Sequence, residues 1–144
     1  MDKPSLANTL TYAGALPFLA CALLSFSYDQ LPLLGASTSL VILTYGAVIA
    51  SFIAGIHWGL YLFKNPPLNL FIYSNIITLA AWANLYFVPT LGAIILIICF
   101  AILLVIDRQL AENNIIEDWF YSLRIRISTI VIGALIVFLF SRFI

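Results

Sequence analysis

Residues Ala36–Phe63 read ASTSLVILTYGAVIASFIAGIHWGLYLF, a run without a single Asp, Glu, Lys or Arg. An apolar stretch of about 18 or more uncharged residues is long enough to cross a bilayer. At about 1.5 Å per residue this one would be about 42 Å long as a helix, against a hydrocarbon core of about 30 Å. It should therefore tilt or protrude. Only His57 breaks its apolar character, and Lys64-Asn65-Pro66-Pro67 stops it. The rest of the chain is of the same kind. Of 144 residues, 64% are hydrophobic and 8% charged, whereas a soluble domain carries about 25% charged residues. That leaves too little polar surface to coat a water-soluble globule.

Four further spans lie on either side. The first covers about 6–26, with Pro17 inside it as a kink. Ser27–Gly35 forms a loop holding Asp29 and Pro32. After 36–63, the third covers about 68–88 and ends in a tight turn at Pro89-Thr90. The fourth, about 91–106, ends at Asp107-Arg108, and the fifth covers about 127–143. The fold class is thus all-α: a polytopic membrane helix bundle of five transmembrane helices, one domain over residues 1–144. No internal repeat or low-complexity tract suggests a second unit. Phe18-Leu19-Ala20-Cys21 faintly resembles a lipoprotein cleavage site. The apolar run continues past Cys21 and its lead is poorly basic, which favours a retained first helix.

Basic residues in short loops set orientation. With a cytoplasmic N-terminus, Lys3, Lys64, Arg108, Arg124 and Arg126 collect inside and only Arg142 outside. The C-terminus is then outside, in a bacterial inner membrane or, in a eukaryote, the mitochondrial inner membrane. Between the last two spans, Ile115, Ile116, Trp119, Phe120 and Leu123 recur at helical spacing among Glu112, Glu117, Asp118, Arg124 and Arg126. This is either an amphipathic interfacial helix or the flared start of a long fifth helix capped by Asn113 or Asn114.

Several functions are disfavoured. The formal net charge is zero, which leaves no basic footprint for nucleic acid. One histidine cannot supply a multi-histidine metal site. There is no phosphate-cradling glycine loop, no His-Glu-x-x-His and no credible nucleophile–base pair. The expectation is a non-enzyme without metal or cofactor. Cys21 and Cys99 lie in spans at different depths, which argues against a disulfide. Asp107, Glu112, Glu117 and Asp118 are placed at the surface, so no carboxylate is expected inside the membrane.

The second span is expected at the centre of the bundle. Ala47, Ser51, Gly55 and Gly59 form a ladder of small residues that permits close backbone approach. Intramolecular packing is favoured over a homodimer seam. Gly46, Ala50, Ala54 and His57, followed by Tyr61, form a second row. His57 lies seven residues before Lys64, about 10 Å below the interface at about 1.5 Å per residue. Ser74 and Asn75 on the third span and Tyr12 on the first reach a similar depth, and Ser128 and Thr129 approach from the fifth. The expected site is a cytoplasm-facing polar cluster of His57, Asn75, Ser74, Tyr12 and Tyr61. Ionisable groups at such depth turn toward a partner or a cavity, and imidazole can donate, accept or carry a proton near pH 7. The competing reading is a neutral histidine that only bridges helices.

Three stretches carry a resemblance: Tyr12-Ala13-Gly14-Ala15-Leu16-Pro17-Phe18; Tyr45-Gly46-Ala47 through Ser51-Phe52 to Gly55-Ile56-His57-Trp58-Gly59; and Asp107-Arg108-Gln109-Leu110 with Trp119 and Arg124. Together they resemble a family of small membrane proteins of unknown function. It is found in proteobacteria and includes the animal mitochondrial transmembrane protein 69. The acidic pair Glu117-Asp118 departs from that family's pattern. The resemblance implies an inner membrane and brings no activity. Two functions are expected in competition. One is a polar site at His57 that binds a small ligand or assists proton or solute movement. The other is a structural or assembly subunit of a larger, respiratory-type membrane complex. The partners are the lipid bilayer and a membrane protein or second copy.

Overall fold

The computed structural model describes residues 3–31 and 35–143; Pro32 of the expected loop lies outside them. Five α-helices follow in order: α1 Lys3–Leu24, α2 Thr38–Phe63, α3 Leu70–Ala83, α4 Pro89–Glu112 and α5 Asp118–Ser141. A single 3-10 turn, Asn84–Tyr86, extends α3. There is no strand among the described residues, only an isolated bridge from Gln30 to Ser37 that pinches the first loop. Among the described residues, four helices are long and apolar enough to cross a membrane: Pro4–Leu24, Thr38–Phe63, Pro89–Glu112 and Asp118–Ser141. The apolar stretch Leu70–Tyr86 is shorter. Asn69 delays its start, its side chain accepting from the Ile72 amide. Its last turn tightens at Asn84 before Pro89 opens α4 in the first-turn position that proline tolerates.

Helices α1, α2, α4 and α5 form a ring in which each touches the next, and α3 packs outside against α2 and α4. The core between them holds Phe18, Ile42, Leu96, Phe100, Leu103, Leu135 and Phe138, all buried. Large apolar side chains such as Leu16, Phe52, Leu79 and Phe140 face outward, as a lipid-facing surface requires and a water-facing one does not. Pro17 lies inside α1 and cannot donate to the carbonyl one turn back. Beside it, the Tyr45 hydroxyl donates to the Gly14 carbonyl at 2.9 Å, and the Tyr45 ring packs 5.1 Å from that of Phe18. These contacts hold α1 on α2. At the far end of α1, Arg142, the residue after α5, donates to the Ser25 carbonyl at 2.9 Å.

Two expectations need correction here. Of the ladder Ala47, Ser51, Gly55 and Gly59, only Ala47 is buried, and a Cβ added at Gly55 or Gly59 would meet nothing within 4 Å. The neighbouring helices approach the other row instead. A Cβ on Gly46 would lie 2.6 Å from Leu96 Cδ1, while Ala50 and Ala54 are fully buried. The closest backbone approach is at Gly92, whose Cβ would lie 2.9 Å from the Asn84 carbonyl oxygen.

The second correction concerns residues 111–128: of their two readings the early start of a long fifth helix holds, from Asp118 and without a separate interfacial helix, but its expected asparagine cap does not. These residues divide between the end of α4, a short turn and the start of α5. Asn114 takes a left-handed φ of 57°. The Ile115 amide donates to the Leu110 carbonyl and the Asn114 amide to that of Ala111, both at 2.9 Å. That is the Schellman closure of a helix C-terminus, so the asparagines end α4 rather than begin α5.

Candidate functional site

Three ionisable residues lie in apolar stripes. On α4, Leu96, Phe100, Leu103, Asp107 and Leu110 follow one another by four, three, four and three residues, and all are buried. On α5, Arg124, Ser128, Val131, Leu135 and Phe138 repeat that spacing and are buried too. On α2, His57 continues the buried row of Gly46, Ala50 and Ala54. Such spacing puts residues on one helix face. Packing the three stripes together therefore carries the polar groups inward with the leucines. His57 precedes the end of α2 by six residues, Asp107 that of α4 by five, and Arg124 follows the start of α5 by six. At about 1.5 Å per residue, each lies about 8–9 Å inside its helix end.

There the three side chains meet. His57 Nε2 donates to Asp107 Oδ1 at 2.7 Å, and Arg124 Nε donates to Asp107 Oδ2 at 2.8 Å. Their side chains are 1%, 2% and 6% exposed. An ionised carboxylate only accepts, so the proton in the first contact sits on Nε2. Asp107 and Arg124 balance in charge. Ionic groups at membrane depth are rare, face the bundle interior and pair with one another. The network does not satisfy all its members. His57 Nδ1, the Arg124 Nη2 nitrogen and Ser128 Oγ are buried without a hydrogen-bond partner among the described residues.

Arg124 and Ser128, one turn apart on α5, line a crevice of about 400 Å³. Its other walls come from α1 between Ala7 and Phe18, from Ile49, Phe52, Ile53 and Ile56 of α2, from Phe100 of α4, and from Phe120, Leu123, Ile127 and Val131 of α5. Leu10 and Phe52 at its lip are 63% and 69% exposed. The crevice thus opens sideways between helices.

Of the residues expected around His57, Ser74 is buried but donates to the Leu70 carbonyl of its own helix. Asn75 is exposed and donates to the Phe71 carbonyl at 2.7 Å. Tyr12 is exposed on α1. Tyr61 is half-buried with its ring edge-on to Phe71, 4.5 Å between centroids. None of the four bonds to His57. Depth brought them level with it, but direction around the helix axis decides contact. Ser and Asn side chains readily satisfy themselves on the carbonyl one turn back. Thr129 does the same with Ile125, while Ser128 joins the crevice. The expectation that Asp107 lies at the surface, with no carboxylate inside the bundle, is corrected. Helix α4 runs on to Glu112, so Asp107 is inside it. The signal for Asp107 and Arg124 was present in their place within the leucine-type spacing. Among the described residues, no group of three or more His, Cys, Asp and Glu could hold a metal ion.

Known proteins resemble the chain along most of its length. The family described as "Protein of unknown function (DUF3429)" matches residues 3–140. Transmembrane protein 69 of Mus musculus is 30% identical over 137 residues, which cover 91% of this chain and 54% of that protein. Transmembrane protein 69 of Xenopus tropicalis is 26% identical over 141 residues, or 94% of this chain and 54% of that protein. The chain therefore spans about half the length of these relatives. No solved structure matches it.

Proposed function

The chain belongs to the DUF3429 family of proteins of unknown function, and from that premise we propose that it is a multi-pass membrane protein that binds a small ligand beside the His57–Asp107–Arg124 network. Leu70–Tyr86 acts as the fifth span: a helix and 3-10 turn of about 27 Å, short of a typical core by only about 3 Å, which local thinning of the bilayer accommodates. Lys64, Arg108 and Arg126 at one end of the bundle face the cytoplasm, or the matrix in a mitochondrion, and Arg142 faces the opposite side. The membrane is an inner membrane. One observation carries the ligand reading: Arg124 and Ser128, buried and each with a polar atom lacking a partner, line a crevice of about 400 Å³. That is within the range of about 300–1,000 Å³ usual for small-molecule sites. Asp107, itself bonded to His57, holds the guanidinium in place.

Native mass spectrometry of protein extracted gently from its membranes tests this. The parent should retain a stoichiometric adduct of defined mass, and Ser128→Leu, which fills the crevice, should lose it. A parent without any adduct, or an adduct kept by the variant, contradicts the reading. A second function, as a structural or assembly subunit, draws on a separate observation. Gly55 and Gly59 lie on a face of α2 that no neighbour covers, and bare glycine faces suit close docking of a second membrane helix. Recovery of a stoichiometric protein partner in mild detergent supports that role.

A further inference from the structure

Charge, hydrogen bonding and wall shape together specify what the crevice would hold. Arg124 already has its counterion, Asp107, at 2.8 Å. A second anion in the same buried region would stand near Asp107 without a cation of its own, an arrangement that repulsion and desolvation both oppose. What the site has in excess is donors. The Arg124 nitrogen can only donate, and the Ser128 hydroxyl can donate. The complement of two neighbouring donors without net charge is a neutral acceptor, and a carbonyl oxygen with two lone pairs is the simplest.

The walls restrict the remainder. Phe18, Phe52, Phe100 and Phe120 all line the crevice, and aromatic faces and edges favour a flat ring between them. The exposed lip at Leu10 and Phe52 lies on the bundle's lateral surface, so a ligand dissolved in the bilayer would enter without crossing the aqueous interface. We propose that this crevice binds an uncharged, membrane-dissolved molecule with a planar, carbonyl-bearing head, the quinone class, its carbonyl oxygen accepting from Arg124 and Ser128 and its tail leaving past Leu10 and Phe52. The assignment rests on the ligand-site reading above and adds the chemistry of the ligand.

The test uses the full chain in lipid nanodiscs and three radiolabelled probes with equal tails: a decyl-substituted benzoquinone, decanoate and decanol. The quinone should bind saturably and more tightly than the other two. Ser128→Ala should weaken it about 5-fold, the equivalent of one hydrogen bond. Ser128→Leu should abolish it. Ser128→Ala removes a hydroxyl that has no partner among the described residues, so that variant should melt close to the parent, and the melting of both variants is measured alongside. Tighter binding of decanoate, itself lost in Ser128→Leu, overturns the quinone assignment while leaving a ligand site in place. Equal quinone binding by parent and Ser128→Leu, or no saturable binding of any probe, also overturns it. The retained adduct in the native spectrum then decides separately whether the ligand-site reading survives.

Discussion

Replacing Asp107 by asparagine keeps the shape of the side chain and removes its charge. In the parent, one oxygen accepts from His57 and the other from Arg124, and all three side chains are nearly sealed from the surroundings. An amide has one acceptor oxygen, so either His57 or Arg124 must face an N–H with its own donor. Arg124 also loses its counterion while remaining buried. Two unit charges about 4 Å apart attract by about 4 kcal/mol at an effective dielectric of about 20. Breaking a buried pair by removing one partner typically costs about 3–5 kcal/mol. At about 2–4 °C per kcal/mol for a chain of this size, Asp107→Asn should melt about 6–20 °C below the parent. The assay is thermal unfolding in mild detergent, followed by tryptophan fluorescence. The double variant Asp107→Leu with Arg124→Met removes both charges and should recover most of the loss, because apolar replacement of a whole buried pair is often neutral. An Asp107→Asn protein that melts with the parent would refute the claim that this carboxylate anchors the bundle.

Four further outcomes follow from the packing and the ends of the helices. Gly92→Ala should destabilise by about 1–3 kcal/mol, because its Cβ would press on the Asn84 backbone, which cannot rotate away. Gly55→Ala, with open space around it, should be neutral or stabilising by up to about 1 kcal/mol, and equal melting shifts for the two would contradict the placement of these glycines. Tyr45→Phe removes the hydroxyl that donates to Gly14 and should cost about 0.6 kcal/mol, the average for such bonds in membranes; a loss several times larger would mean that the tyrosine does more than hold α1. A reporter active only in the cytoplasm should work when fused after Lys64 or within 111–118 and fail at the C-terminus; activity at the C-terminus would overturn the proposed orientation.

Much of the architecture could be read from the sequence because hydropathy responds to one dominant force. Ala36–Phe63 fixed a long helix, and α2 begins only two residues later than its apolar run. Helix ends were harder. The fourth span was expected to stop at Asp107, since a charge usually marks the edge of the bilayer, yet α4 continues one more turn and a half to Glu112. That single misplaced boundary hid the site. With Asp107 read as surface, His57 had to find partners of similar depth, and Ser74 and Asn75 were the polar residues available. Depth follows from counting residues, whereas facing follows from the angle around the helix axis. Asp107 and Arg124 share their buried faces with Leu103 and Val131, and weighting that spacing above charge would have found them. The small-residue ladder failed for a related reason. Two faces of α2 carry small residues, and only the positions of its neighbours select the Gly46 row over that of Gly55.

Selective ¹⁵N labelling of the one histidine in lipid bilayers tests most directly whether a buried network stands behind the crevice. His57 should show a protonated, hydrogen-bonded Nε2 whose hydrogen exchanges slowly with D₂O, and Asp107→Asn should shift that signal and speed the exchange. A fast-exchanging Nε2 hydrogen, indifferent to Asp107→Asn, would contradict the account at its centre.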